Sequence, residues 1–191
     1  MIDLAEELDS IRGVFSEHRI EFALCGGMAL AIHGFIRATV DLDLLVKAED
    51  IDEIQSTVAS LGYITVGNRT SRIAAASGDT LILDLSVVTG ETLDIWSDRR
   101  RILWRDEPLS VVSREGLIKL KQLRGSLQDL ADVARLPDEI EMSSNAIELR
   151  MKRLSQVRNL CLRLAKAGEE ARKKEQLAPV TPSTSTASSD R

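Results

Sequence analysis

Cysteine is scarce: Cys25 and Cys161 are the only two in a chain of 191 residues. Two are too few for a disulfide framework or a cysteine-based zinc site, and a reducing, cytoplasmic setting is the expectation. Cys25, beside a glycine turn, reads as a small buried filler rather than a reactive thiol. No apolar run approaches the ~18 residues that a membrane-spanning helix needs, and the acidic, amphipathic opening residues lack the pattern of a signal peptide. Basic charge is not in excess either. A formal net charge of −5 argues against a protein that holds nucleic acid by bulk electrostatics. Two local basic groups remain, one of Arg99, Arg100, Arg101 and Arg105, the other of Arg150, Lys152, Arg153, Arg158 and Arg163. Such runs are solvated faces or phosphate contacts. The rest is ordinary: 43% hydrophobic and 29% charged residues at a length for one domain with an appendage.

The chain is organised around residues 22–46, FALCGGMALAIHGFIRATVDLDLLV. A short apolar run, 22–24, meets Cys25-Gly26-Gly27, where the backbone turns sharply and leaves N–H groups uncovered. Residues 28–33 are compatible with a helix, closed by Gly34. Val40, Leu42, Leu44 and Val46 then alternate with Asp41 and Asp43, so a strand carries both aspartates on one face. Carboxylates so close disfavour joint ionisation. A cation relieves that repulsion, and hard oxygen ligands suit Mg²⁺ together with substrate phosphates. The glycine turn supplies the other half, since exposed N–H groups at a helix start attract phosphate.

Gly-Gly, a short helix, then hydrophobic-Asp-hydrophobic-Asp-hydrophobic resembles the signature of the nucleotidyltransferase fold of DNA polymerase beta. Within that superfamily, GGMALAIHGFIRATVDLDLLV is most similar to the minimal and AbiEii-like nucleotidyltransferases of bacteria, with Arg37 and Thr39 just ahead of the aspartates. The resemblance implies an α/β (α+β) fold: a small, mixed, mostly antiparallel sheet flanked by helices, followed by a C-terminal helical extension. It also supplies a third acid on a neighbouring strand, a place that Asp84 takes within residues 81–88. The residues themselves say that a lone acid in an apolar strand must sit at a strand end, pair with a cation, or bind metal.

Elsewhere the pattern is legible in pieces. Leu4, Leu8, Ile11 and Phe15 mark an amphipathic helix, with Asp3 and Glu6 as a capping box. Ile51, Ile54, Val58 and Leu61 mark a second, ended by Gly62. Residues 63–66 and 72–76 read as strands joined at Gly67-Asn68, with a further turn at Ser77-Gly78-Asp79. Trp96 rides a helical turn within 91–101, residues 102–104 and 109–112 form a hairpin, and both tryptophans are packing anchors. Ser113 caps a helix over 114–123. A second helix runs 126–136 and Pro137 stops it. LIKLKQLRGSLQDLADV is similar to a helix pair of the AbiEii-like group through Lys121, Arg124, Gln128, Asp129 and Asp132, and there the lysine and its neighbours face nucleotide phosphates. Ser126 and Asp129 also form a capping arrangement. Residues 144–175 are strongly helical along Ile147, Met151, Leu154, Val157, Cys161 and Leu164, and 177–191 have the composition of a disordered tail.

The expected organisation is a nucleotidyltransferase-fold domain over 1–136, a helical extension over 137–176 and a tail over 177–191. The expected function is metal-dependent transfer of a nucleotidyl group from a nucleoside triphosphate such as ATP to a hydroxyl or phosphate of RNA, protein or a small molecule. Asp41, Asp43 and Asp84 would hold Mg²⁺ or Mn²⁺ and be the catalytic acids. Gly26, Gly27, Arg37, Thr39, Lys121, Arg124 and Asp129 would bind the nucleotide. The resemblance adds a toxin–antitoxin or phage-defence setting with a protein partner, and the long helix allows a monomer or a homodimer. The alternatives are an inactive nucleotide- or RNA-binding partner module on the same fold, and an antibiotic-modifying enzyme.

Overall fold

The computed structural model describes residues 2–66, 69–73 and 79–177. The chain opens with helix α1, Leu4–Glu17, capped by the Asp3 carboxylate, which accepts from the N–H groups of Ala5 and Glu6. The reciprocal half of the expected capping box is missing, because Glu6 turns away to pair with Arg105 at 3.1 Å. Strand β1, Phe22–Leu24, leads directly into α2, Gly26–Ile32, and β2, Asp41–Val46. Gly34, with φ +99°, ends α2's turn where any Cβ would stand 2.3 Å from Ile140 Cδ1. A 3₁₀ turn, Ala48–Asp50, runs into α3, Ile51–Ala59. Then follow β3, Ile64–Val66, β4, Arg69–Ile73, and β5, Thr80–Val87.

Helix α4, Leu93–Ser97, precedes the hairpin of β6, Arg100–Trp104, and β7, Glu107–Val111. The hairpin turns at Arg105 and Asp106, both at positive φ, so it is tighter than the pattern of apolar residues suggested. Helices α5, Arg114–Arg124, and α6, Leu127–Val133, begin at Ser113 and Ser126, whose hydroxyls accept from Gly116 N–H and Asp129 N–H. Helix α7, Ser144–Leu177, follows. The turn expected at Gly67-Asn68, the close of the strand expected over 72–76, Ser77-Gly78 and the polar tail from 178 onward lie outside the described residues.

The strands form one sheet in the order β3-β4-β5-β2-β1-β7-β6. It is mixed and mostly antiparallel, with β2–β5 and β1–β7 the parallel pairs. β1 and β2 are buried along nearly their whole length, which is why residues 42–46 read as a continuous apolar run broken only by Asp43. Leu4, Leu8, Ile11 and Phe15 of α1 and Ile54 and Val58 of α3 are wholly or almost wholly buried, and Phe15 meets Phe22 edge to face at 5.5 Å. Each such side chain contributes about 1.5–3 kcal/mol by leaving water.

The described residues divide into two units between Asn159 and Leu160, so α7 begins in the first and ends in the second. In the first unit, Ile147, Met151 and Leu154 join the core. In the second, Cys161 and Leu164 are exposed. Among the described residues no helix is long and apolar enough to cross a membrane.

Candidate functional site

The parallel pairing of β2 with β5 sets the geometry. Its register places Asp43 beside Asp84 and Leu44 beside Leu85. Since strand side chains alternate, Asp41 shares the face of Asp43, while Leu42 and Leu44 are buried on the other side. The three acids line a cleft of about 300 Å³ with Gly26, Gly27, Arg37, Thr39, Arg124 and Asp129. Of the residues expected to hold metal or nucleotide, Lys121 is the one absent from its lining.

The acids differ in surroundings. Asp84 is exposed and Asp41 half-buried, whereas Asp43 is only 9% exposed. The cost of burying a carboxylate therefore falls on Asp43 and not on Asp84, where the apolar pattern of β5 had placed it. Burial, and then the charge of Asp84, push the Asp43 carboxyl above its ordinary range, against the partial relief of Arg124 and the Gly27 N–H. That N–H donates to Asp43 Oδ2 at 3.3 Å.

The glycines are required by contacts as well as by conformation. Gly26 has φ +58°, and a Cβ there would fall 1.9 Å from Asp43 Oδ2. At Gly27 a Cβ would meet Thr39 Oγ1 at 2.6 Å. The turn is thus packed against its own acid and threonine, a constraint that the dipeptide alone does not reveal.

Lys121 and Arg37 are both held by carboxylates, Arg37 in the cleft wall and Lys121 behind it. Lys121 is 1% exposed and its Nζ donates to Asp132 Oδ2 at 2.7 Å and Asp129 Oδ1 at 3.0 Å. Arg37 Nε donates to both oxygens of Asp132, at 2.9 and 3.0 Å, and Gln128 Nε2 donates to Oδ1 at 2.8 Å. Burial opposes ionisation of Asp129 and Asp132. Hydrogen bonds from Ser126 and Lys121 to the first, and from Lys121 and Gln128 to the second, nevertheless hold both carboxyls below the ordinary range. Arg124, with 45% of its side chain exposed, lies 3.9 Å from Asp129 and borders the cleft.

Asp132 had carried only a resemblance in the sequence. The available signal was its spacing from Gln128, four residues along one helix face. Glu7 and Arg72, paired at 2.5 Å, are 65 positions apart in sequence and gave no signal at all.

The donor set suits a divalent cation: hard oxygens on adjacent strands, with like-charge repulsion that a cation would relieve. Among the described residues, no three His, Cys, Asp or Glu side chains are already gathered to hold one ion. The acids would have to reorient about it.

No protein-family model matches the sequence, and no curated protein does. Solved structures do. An antigenic nucleotidyltransferase-like protein from Paracoccidioides brasiliensis is 16% identical, with a TM-score of 0.50 over 82% of this chain and 89% of its own. The chain has the nucleotidyltransferase fold. The solution structure of the antibiotic-resistance factor ANT(2″)-Ia is similar at TM-score 0.45 and 16% identity, over 91% of this chain and 100% of that one. The lincosamide antibiotic adenylyltransferase LnuA, lincomycin-bound, is similar at TM-score 0.45 and 15% identity, over 69% and 94%.

In this nucleotidyltransferase-fold chain a larger groove, about 740 Å³, lies apart from the acids among α1, β6 and β7. Some of its charges pair within the protein: Arg12 with Asp9 at 3.1 Å and Arg99 with Glu21 at 3.1 Å. The basic groups of the sequence are drawn in only in part, since Arg100, Arg101, Lys152, Arg153 and Arg163 are exposed. Arg99 stacks on Trp96 at 4.1 Å, Arg105 pairs with Asp9 and Glu6, and Arg150 and Arg158 donate to the carbonyls of Glu141 and Ile2.

Proposed function

We propose that the chain transfers a nucleotidyl group from a nucleoside triphosphate to an acceptor hydroxyl or phosphate. The observation that carries this is the single cleft lined by Asp41, Asp43 and Asp84 together with Arg37, Arg124 and the Gly26-Gly27 turn. Asp41, Asp43 and Asp84 are the residues that would hold Mg²⁺ or Mn²⁺, which when bound would neutralise charge on the triphosphate. Arg37 and Arg124 oppose the charge that builds on the leaving pyrophosphate. The acceptor oxygen bonds to the α-phosphorus and the bond from that phosphorus to the bridging oxygen breaks. The acceptor's proton passes to an Asp84 oxygen, and the bond electrons leave with pyrophosphate. Asp84 suits that role because it is the most exposed of the three acids and stands beside Asp43 in register.

The reading places the chain near the AbiEii-like branch, on Lys121, Arg124, Gln128, Asp129 and Asp132, and leaves RNA, protein and small molecules as acceptor classes. Incubating the full chain with each labelled nucleoside triphosphate, Mg²⁺ and total cellular RNA tests it. Label transfer that survives in the parent and disappears in a folded, nucleotide-binding Asp84→Asn variant is the expected result. A parent that binds none of the triphosphates overturns the reading.

A further inference from the structure

We propose that Asp132 is a positioning residue for the cleft, fixing Arg37 in its wall so that the guanidinium meets the triphosphate, with Lys121 as the buried counter-charge of that hold. The inference rests on the nucleotidyl-transfer reading above. Asp132 has no exposed surface and receives Arg37 Nε on both oxygens, Lys121 Nζ on Oδ2 and Gln128 Nε2 on Oδ1. A carboxylate has about four acceptor sites. Three donors arranged across both oxygens therefore fix its plane, and with it the orientation of Arg37.

Lys121 has no comparable freedom. Its ammonium is buried and bonded to two carboxylates. Drawing it out toward a phosphate would leave Asp129 and Asp132 in a low-polarity interior without their cation. Arg37 is placed differently. It lines the cleft with 29% of its side chain exposed and is anchored twice, by Nε to Asp132 and by Nη1 to the Ala38 carbonyl at 2.9 Å. Among the described residues its Nη2 has no hydrogen-bond partner, so the donors of that nitrogen remain for a ligand. The charges of Arg37 and Lys121 balance those of Asp129 and Asp132. The hold thus adds no net charge, and Arg124 is the other cationic side chain that lines the cleft. A guanidinium held in place beforehand loses less entropy on binding than a mobile one.

The test measures binding of the α,β-methylene analogues of the four common nucleoside triphosphates with Mg²⁺, well below the melting temperature. The parent, Arg37→Lys, Asp132→Asn and the double variant are compared. Each single change is expected to weaken binding about tenfold, the size of one lost charged hydrogen bond, and the double to be no weaker than either single. Should Asp132→Asn not fold, Gln128→Ala takes its place in the cycle. Independent, multiplying effects, or an Asp132→Asn variant that melts lower yet binds as the parent does, overturn the proposal. A second readout needs no nucleotide: the Arg37 Nε–H proton should exchange slowly in the parent and fast in Asp132→Asn, and fast exchange in the parent overturns the hold. A parent that binds no triphosphate overturns the transfer reading itself, whereas a binding parent with indifferent variants overturns only the positioning.

Discussion

Gly26→Ala is the sharpest probe of the acidic cleft, because it strikes the acids from the glycine side. The new methyl would occupy space 1.9 Å from Asp43 Oδ2, 2.1 Å from its Cγ and 2.6 Å from its Cβ. No rotation of the methyl relieves an overlap that deep, so Asp43 must move. Two costs follow. Holding alanine at φ +58° costs about 1–2 kcal/mol. Displacing Asp43 also breaks its bond from the Gly27 N–H, and a hydrogen bond to a charged group is worth about 1.5–3 kcal/mol. The total is roughly 3–5 kcal/mol, which lowers the melting temperature by about 10 °C in a chain of this size. Urea melts followed by circular dichroism read the loss directly, with an unchanged slope if the unfolded state is untouched.

Gly90→Ala is the control, since nothing lies within 4 Å of a Cβ there, and a surface change of that kind stays within about 0.5 kcal/mol. Asp43→Ala in the Gly26→Ala background removes the overlaps with Oδ2 and Cγ and leaves only the Cβ contact. The pair should therefore couple by about 1.5–3 kcal/mol. Additive effects, or a Gly26→Ala variant within about 1 kcal/mol of the parent, would refute the packing of the turn on its acid.

Three further outcomes are expected. Mg²⁺ should raise the melting temperature of the parent, more so with a nucleoside triphosphate, and Asp43→Asn should remove that response; an equal response in both would refute the donor set. Asp129 and Asp132 have carboxyls held below the ordinary carboxylate range, so their contribution to stability is present above that range and is lost as pH falls through the lower folded values. Lys121→Met should cost about 3–5 kcal/mol at neutral pH and flatten this acid limb, and an unchanged limb in pH-dependent melts would count against the network. Glu7 is buried and takes two bonds from Arg72. Arg72→Met should cost about 2–3 kcal/mol, moderated because the arginine is part-exposed, and Glu7→Gln should recover some of it; no recovery in thermal melts would show that the charge is not the cause.

Local chemistry made much of this protein legible without coordinates. Asp3, Ser113 and Ser126 mark helix starts because their side-chain oxygens satisfy backbone N–H groups within three residues. The stripe from Leu4 to Phe15 specifies a helix whose buried face needs no knowledge of its neighbour. The alternation around Asp41 and Asp43 fixes them on one face of a strand whatever that strand pairs with.

Other features depend on which segments meet. That Asp84 lies beside Asp43 follows only from the parallel register of β2 and β5, which no pattern within either strand encodes. That Asp43 and not Asp84 is the buried acid depends on α2 and the Gly26-Gly27 turn closing over it. Lys121 was expected to face nucleotide phosphates through the resemblance of its helix pair to that of the AbiEii-like group. The tertiary structure instead surrounds it with Asp129 and Asp132, since a buried ammonium is stable only among carboxylates. Residue type states what a side chain can bind, and the packing of distant segments decides which partner reaches it first.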